Sequence, residues 1–211
     1  MKAKRIFRIF RSGQASVFYQ TAALVFMLSI GSLPAEFMAQ PVNLAYLSQR
    51  ADVIVQGRVT KAVQEPMPGY PNIPTVAVTI SVDTSLRGTA AKTYTFREVL
   101  FGLKPRPGKR VYDVGQKLLL FLPSPSQYGL SSPVGIGQGR FHIAGDSGGK
   151  VTVMNEHSNA GLFRDVDKAA RKAGKQLTAS QLRLTATERG PVELNEFVSL
   201  VKSLTTLPRI R

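Results

Sequence analysis

The chain contains no cysteine, which excludes disulfides and a cysteine-linked lipid anchor and leaves the hydrophobic core alone to stabilise the fold. Histidine is nearly absent: only His142 and His157 occur, with no His-x-His, His-x3-His or Glu-plus-His helical spacing to mark a metal site. Acids are scarce as well, 13 against 28 Lys and Arg, for a net charge of +15. The apolar run near the N-terminus, Ala22–Leu33, spans 12 residues, short of the roughly 20 needed to cross a bilayer. No nucleic-acid recognition motif accompanies the positive charge, so nucleic acid is not an expected partner.

What is present at the N-terminus points outward. Lys2, Lys4, Arg5, Arg8 and Arg11 form an acid-free basic cluster ahead of that apolar run, and Pro34 and Glu36 end it. This is the layout of a secretory signal peptide over residues 1–39. Ala35 and Ala39 offer small residues for cleavage, but Leu33 and Phe37 two positions earlier are bulky. An uncleaved anchor using residues 17–33 is the alternative. The working protein is therefore expected in the periplasm or outside the cell.

Residues 40–211 carry 23 cations and 12 acids, a length and balance suited to one domain. Two places are denser in cations: Lys104, Arg106, Lys109 and Arg110, and then Lys168, Arg171, Lys172 and Lys175. The excess fits an acidic partner, an anionic envelope surface or polymer, or plain solubility.

Period-two alternation marks the strands. Val53, Val55 and Val59 share a face in 51–63, with Gly57 signalling a bulge or bend. Val76, Val78, Ile80 and Val82 alternate with small polar residues through 75–83. Strands are also expected at 93–99, at the wholly apolar 117–122, and as a hairpin, 140–144 with 150–155. Four prolines and Gly69 make 65–74 a loop; 100–115 reads as a loop or lid, and 124–139 as a surface wrap. Residues 43–50 and 162–173 have helical spacing, 175–189 is ambiguous, and a C-terminal helix over 191–204 is signalled by Gly190, Pro191 and the stripe Leu194, Phe197, Val198, Val201. The expectation is a mainly β, antiparallel, OB-like barrel, closed or partly open, with one or two peripheral helices.

The order Ala51-Asp-Val-Ile-Val-Gln-Gly-Arg-Val59, the 75–82 strand, Ser85-Leu-Arg-Gly88, and Gly115-Gln-Lys-Leu-Leu-Leu-Phe-Leu122 resembles the oligonucleotide/oligosaccharide-binding-type barrel of metalloproteinase inhibitors and netrin-like domains. It is also similar to a broad group of uncharacterised exported bacterial proteins, as is the stretch Tyr128-Gly-Leu-Ser-Ser-Pro-Val-Gly-Ile-Gly-Gln-Gly-Arg-Phe141. The barrel resemblance covers about residues 44–123. Inhibitory members ligand a protease zinc through an N-terminal cysteine, which this chain lacks. The resemblance thus implies a fold and carries no inhibitory mechanism.

Gly145-Asp146-Ser147-Gly148-Gly149 matches the nucleophile signature of trypsin-like proteases, but that chemistry needs a His base oriented by an acid. The base lies far upstream in that family, whereas His142 is on the strand entering this turn. Asp-Ser-Gly-Gly is ordinary hairpin chemistry. Gly135-Ile-Gly-Gln-Gly139 is followed by a strand-like Arg140–Ile143 rather than a helix, against a phosphate loop. Asp146, Glu156, Asp165 and Asp167 complete the metal-ligand types without usable spacing. No catalytic residue, metal or cofactor is assigned. An aromatic and basic groove is the candidate binding site, formed by Tyr94, Phe96, Arg97, Phe101, Tyr112 and Tyr128 with Lys104, Arg106, Lys109 and Arg110. The leading expectation is a non-enzymatic binding protein; the alternatives are a serine hydrolase using Ser147 and His142, and a membrane-tethered structural protein.

Overall fold

The computed structural model describes residues 40–89, 91–100, 111–145 and 148–209. The proposed export segment, Phe101, the cations at 104, 106, 109 and 110, and Asp146 with Ser147 lie outside the described residues.

The apolar run at 117–122 explains the architecture around it. As β4 (Lys117–Leu122) it buries both faces: Leu119 and Phe121 enter one core, while Leu118, Leu120 and Leu122 enter another. A strand covered on both sides has no position for a polar side chain. β4 pairs with β1 (Val53–Met67), which pairs with β2 (Tyr70–Arg87), and β2 with β3 (Thr93–Val99). On its other side β4 meets β5 (Arg140–Gly145), then β6 (Val151–Asn155) and the two-residue β7 (Val192–Glu193). The result is one antiparallel seven-stranded sheet, ordered β3-β2-β1-β4-β5-β6-β7.

Among the described residues four helices cover one face: α1 (Leu44–Arg50), α2 (Val166–Lys172), α3 (Ala179–Thr185) and α4 (Leu194–Leu204). Fully buried Phe197 of α4 lies 5.1 Å from Phe141 and 6.3 Å from Phe163, ring centre to ring centre. The opposite face is a second core of Val55, Val59, Val76, Val78, Ile80 and Phe96 with Leu118, Leu120 and Leu122 of β4 and Tyr112. Among the described residues no helix is long and apolar enough to cross a membrane.

The mainly antiparallel β fold with a C-terminal helix is as expected, but the barrel does not close: β3 and β7 end the sheet. Three further details differ from the sequence reading. β1 and β2 run through 65–74, with Pro66 opposite Pro74. Along this stretch the outer edges have no strand partners among the described residues, the Pro74 carbonyl accepting from the Leu100 amide at 2.9 Å, so a missing N–H can face outward; Pro68 and Gly69 (φ 78°) make the turn. The ambiguous 175–189 segment contains α3, closed by a capping box between Thr178 and Gln181. α4 begins at Leu194 rather than 191, because Val192 and Glu193 pair with β6 first. The Glu193 carboxylate then caps the helix by accepting from the Asn195 and Glu196 amides. Gly57 does mark a register shift, and a Cβ there would stand 2.1 Å from the Ser81 carbonyl oxygen.

Candidate functional site

Strand order brings β3 and β5 toward each other without pairing them. Curling the β3-β2-β1-β4-β5 stretch around the second core makes these two strands flank its opening. The first bridge across it is backbone: the Ser131 amide, in the β4–β5 connection, donates to the Arg97 carbonyl at 2.8 Å. The remaining bridges are side chains.

Glu98 follows Tyr94 and Phe96 on the inward side of β3 and is a charge at an apolar position. Its side chain is 14% exposed. The Tyr112 hydroxyl donates to Glu98 Oε2 at 2.5 Å, and Arg140 Nη1 stands 3.8 Å from the same oxygen. Arg140, first residue of β5 and 8% exposed, crosses the Tyr112 ring at 4.9 Å and donates through Nη2 to Glu156 Oε1 at 2.5 Å. Its Nε and Nη1 are buried without a hydrogen-bond acceptor among the described residues. His142 extends the ladder. Gln116 Nε2 bonds its Nδ1 at 2.7 Å, which places the ring proton on Nε2, 3.9 Å from Glu156 Oε1.

The four charged or phenolic groups are pushed apart in acidity. Burial raises Glu98, against the opposing pull of Tyr112 and Arg140. Burial, with Glu98 beside it, drives Tyr112 well up. Arg140 is held charged, the anions around it outweighing its burial. Glu156 is drawn down to about 2 by His142 and by Arg140. Distance gives Arg140 the larger share, since it touches the carboxylate and His142 does not.

Glu98, Arg140 and Glu156 line the floor of a half-open cavity of about 410 Å³, and Tyr112 is buried in the core behind them. Its walls are Val99, Leu100, Val111, Pro133 and Ile136. Ile136 is 71% exposed and sits at φ 55°, a left-handed conformation that a β-branched residue rarely holds. Gly135 beside it cannot bear a side chain, because a Cβ would fall 2.7 Å from Val42 Cγ2.

Neither a protein-family model nor a curated protein matches the chain.

The described members of the aromatic and basic set are not brought to one face. Phe96 and Tyr112 are core, edge to face at 5.7 Å, and Tyr94 packs partly buried against that core. Arg97 points the other way, to Glu65 at 2.6 Å and Thr75 Oγ1 at 3.0 Å. Tyr128 is exposed and meets Tyr70 at 5.8 Å, ring centre to ring centre. Of the His142 ring nitrogens, Nδ1 is bonded to Gln116 at 2.7 Å and Nε2 lies 3.9 Å from Glu156 Oε1; Ser147 lies outside the described residues. Asp165 and Asp167 are engaged by Lys168 and Arg171 on their own helical turn. Among the described residues no group of three His, Asp or Glu is placed to hold a metal ion. The sequence reading missed Glu98, Gln116 and Arg140 as site residues. One signal was available: an acid where the alternation of β3 asks for an apolar residue.

Proposed function

We propose that the protein is exported and acts in the periplasm or at the cell surface as a non-enzymatic binding protein, its partner docking at the cavity between β3 and β5. The observation that carries this is the cavity itself: apolar walls over a floor of Glu98, Arg140 and Glu156, with Glu98 bonded to the buried Tyr112 and Arg140 bonded to Glu156. Such a floor supplies orientation and charge and holds no poised nucleophile. Export is supported by the basic cluster and apolar run at the N-terminus. The resemblance to oligonucleotide/oligosaccharide-binding-type barrels is supported by the strand order, in which closing the β3-to-β5 stretch would set β3 beside β5.

Of the two partner classes, an envelope protein and an anionic polymer, the floor favours the protein. Among the described lining residues one guanidinium stands among two carboxylates, giving no surplus of positive charge to hold a polyanion. The net positive charge of the chain steers acidic surfaces toward it. The test is affinity capture from envelope extract at low salt, with the wild-type protein beside Ile136→Arg, which fills the cavity mouth. A partner retained by the wild type and lost from the variant is expected; equal retention refutes a role for the cavity. Mass spectrometry of the mature N-terminus should find a start near Glu36 or Gln40, whereas an intact Met1 identifies the tethered form.

A further inference from the structure

We infer that the outward face of α2, with the adjoining cleft beside α3, rests on a membrane surface of anionic phospholipid headgroups. This face shares no residue with the cavity between β3 and β5 and does not depend on that site. Spacing comes first. Lys168, Arg171, Lys172 and Lys175 recur at i, i+3, i+4 and i+7, the spacing of one helical face. Val166 and Ala170, on the other side, are buried in the first core. α2 ends at Lys172, yet Lys175 is kept with its last turn. The Gly174 amide donates to the Arg171 carbonyl and the Lys175 amide to the Ala170 carbonyl, both at 2.9 Å, with Gly174 at φ 71°. All four cations are exposed.

Charge sets the kind of surface. Asp165 pairs with Lys168 and Asp167 with Arg171, each at 2.6 Å. Residues 164–175 hold five cations and two acids, so a positive surplus remains after both pairs are made. Exposed pairs of this kind are weak and exchange readily for another anion. The cleft beside them, about 270 Å³, is lined by Asp167, Arg171, Gln176, Leu177 and Leu182. Leu182, on α3, is 45% exposed. A cationic row beside an exposed leucine matches a headgroup layer, which offers phosphates at its surface and hydrocarbon beneath. A soluble polyanion matches only the row.

The chain enters the fold at the same place. The buried Gln138 carboxamide accepts from the Val42 amide at 2.9 Å and donates to the Gln40 carbonyl at 3.0 Å. The Leu44 amide donates to the Leu162 carbonyl at 2.7 Å, and Asn43 Nδ2 to the Arg164 carbonyl at 2.9 Å. The entering segment is thus fastened to the residues that lead into α2. The N-terminal apolar run ends at Leu33, seven residues before Gln40, and seven extended residues reach at most about 25 Å. A bilayer engaged by that run, during export or in a tethered form, is within that reach of Gln40.

The chain has no tryptophan, so Leu182→Trp places a single indole at the edge of the cleft in the full-length protein. Its emission is followed on titration with phosphatidylcholine vesicles and with mixed phosphatidylcholine–phosphatidylglycerol vesicles. Each basic side chain near an anionic leaflet contributes about fivefold in affinity. The surplus over 164–175 should therefore favour the mixed vesicles about a hundredfold, with a blue shift that high salt reverses. Adding Lys172→Glu and Lys175→Glu turns the surplus into a deficit and should cut that preference about tenfold or more, the N-terminal cluster being the same in both proteins. The milder Lys172→Gln and Lys175→Gln pair should lie between. Tyr128→Trp, an exposed position in the β4–β5 connection, should show no shift. An equal shift on both kinds of vesicle, indifference to both pairs of lysine substitutions, a matching shift at Tyr128→Trp, or a shift given equally by soluble polyglutamate overturns the inference.

Discussion

Replacing Arg87 by Met should unfasten two helices at once. Arg87 ends β2, and its guanidinium donates through Nη1 to the carbonyls of Ser48 and Ala51, the latter at 2.9 Å, and through Nη2 to the Thr205 carbonyl. Ala51 and Thr205 are the C-terminal caps of α1 and α4, where carbonyls lack helical donors and the dipole is negative. A hydrogen bond to a charged group contributes about 1.5–3 kcal/mol. Arg87 is half-buried, so water recovers part of each carbonyl, and the low end applies to three bonds. With partial re-solvation the net loss is about 3 kcal/mol. Met retains the apolar stem, which isolates the donors as the cause. Arg87→Lys keeps the charge without the fork and should lose about half as much. Arg58→Met, which removes one exposed bond to the Gly115 carbonyl at 3.0 Å, serves as the control at about 0.5 kcal/mol. Urea denaturation followed by circular dichroism measures all three at unchanged slope. An Arg87→Met loss under about 1 kcal/mol, or one equal to the Arg58→Met loss, refutes the double clamp.

Gly57→Ala places a Cβ 2.1 Å from the Ser81 carbonyl oxygen, and the strand crossing it cannot yield without shifting register; a loss of about 3 kcal/mol in the same urea assay is expected. Glu156 has a folded pKa of about 2 against 4.5, so its contribution is present above pH 4.5 and is lost as the pH falls toward 2. The full shift corresponds to about 3 kcal/mol; for a side chain 51% exposed, screening reduces this to about 1 kcal/mol. The difference in stability between wild type and Glu156→Gln, measured from pH 6 to 2, should shrink by that amount. Glu98 is shifted the opposite way, so whatever it contributes is present below pH 4.5 and lost as pH rises. Glu98→Gln should accordingly gain on the wild type between pH 4 and 7 in thermal melts; a constant offset contradicts the raised acidity constant.

How legible this was in the sequence depended on whether a residue's neighbours were local. Val76 to Val82 announce a half-buried strand, and the structure buries Val76, Val78 and Ile80 in one core. The unbroken leucines of β4 likewise announce burial on both faces. The arm at 65–74 was hidden by its prolines, which are breakers only where a ladder bond is needed, and there the outer edges pair with nothing in the sheet. The Thr178–Gln181 box was readable as a helix start, but α3 offers few apolar residues to confirm it: only Gln181 and Leu184 are buried. The floor of the site was illegible for a different reason. Glu98 meets Arg140 only because β1 pairs with β2 on one side and β4 on the other, and that long-range pairing leaves no periodic trace.

The ladder of Glu98, Tyr112, Arg140 and Glu156 is a poor device for stability, and this bears on why it exists. It is built across an opening where backbone pairing would have closed a barrel, and two guanidinium nitrogens are left without acceptors among the described residues. A partly satisfied buried network contributes less than well-packed apolar residues of the same volume, whereas removal of one member strands the others. The two cases are separable. Arg140→Met alone leaves Glu98 buried without a cation and should destabilise by about 3 kcal/mol. Adding Glu98→Leu and Tyr112→Phe removes the stranded carboxylate and the phenol that bonds it, so the triple variant should recover wild-type stability or exceed it by about 1 kcal/mol. If the ladder is there for docking, that same stable variant retains no partner in the capture experiment. A triple variant as unstable as Arg140→Met would instead make the ladder a structural element and remove the ground for assigning it a ligand.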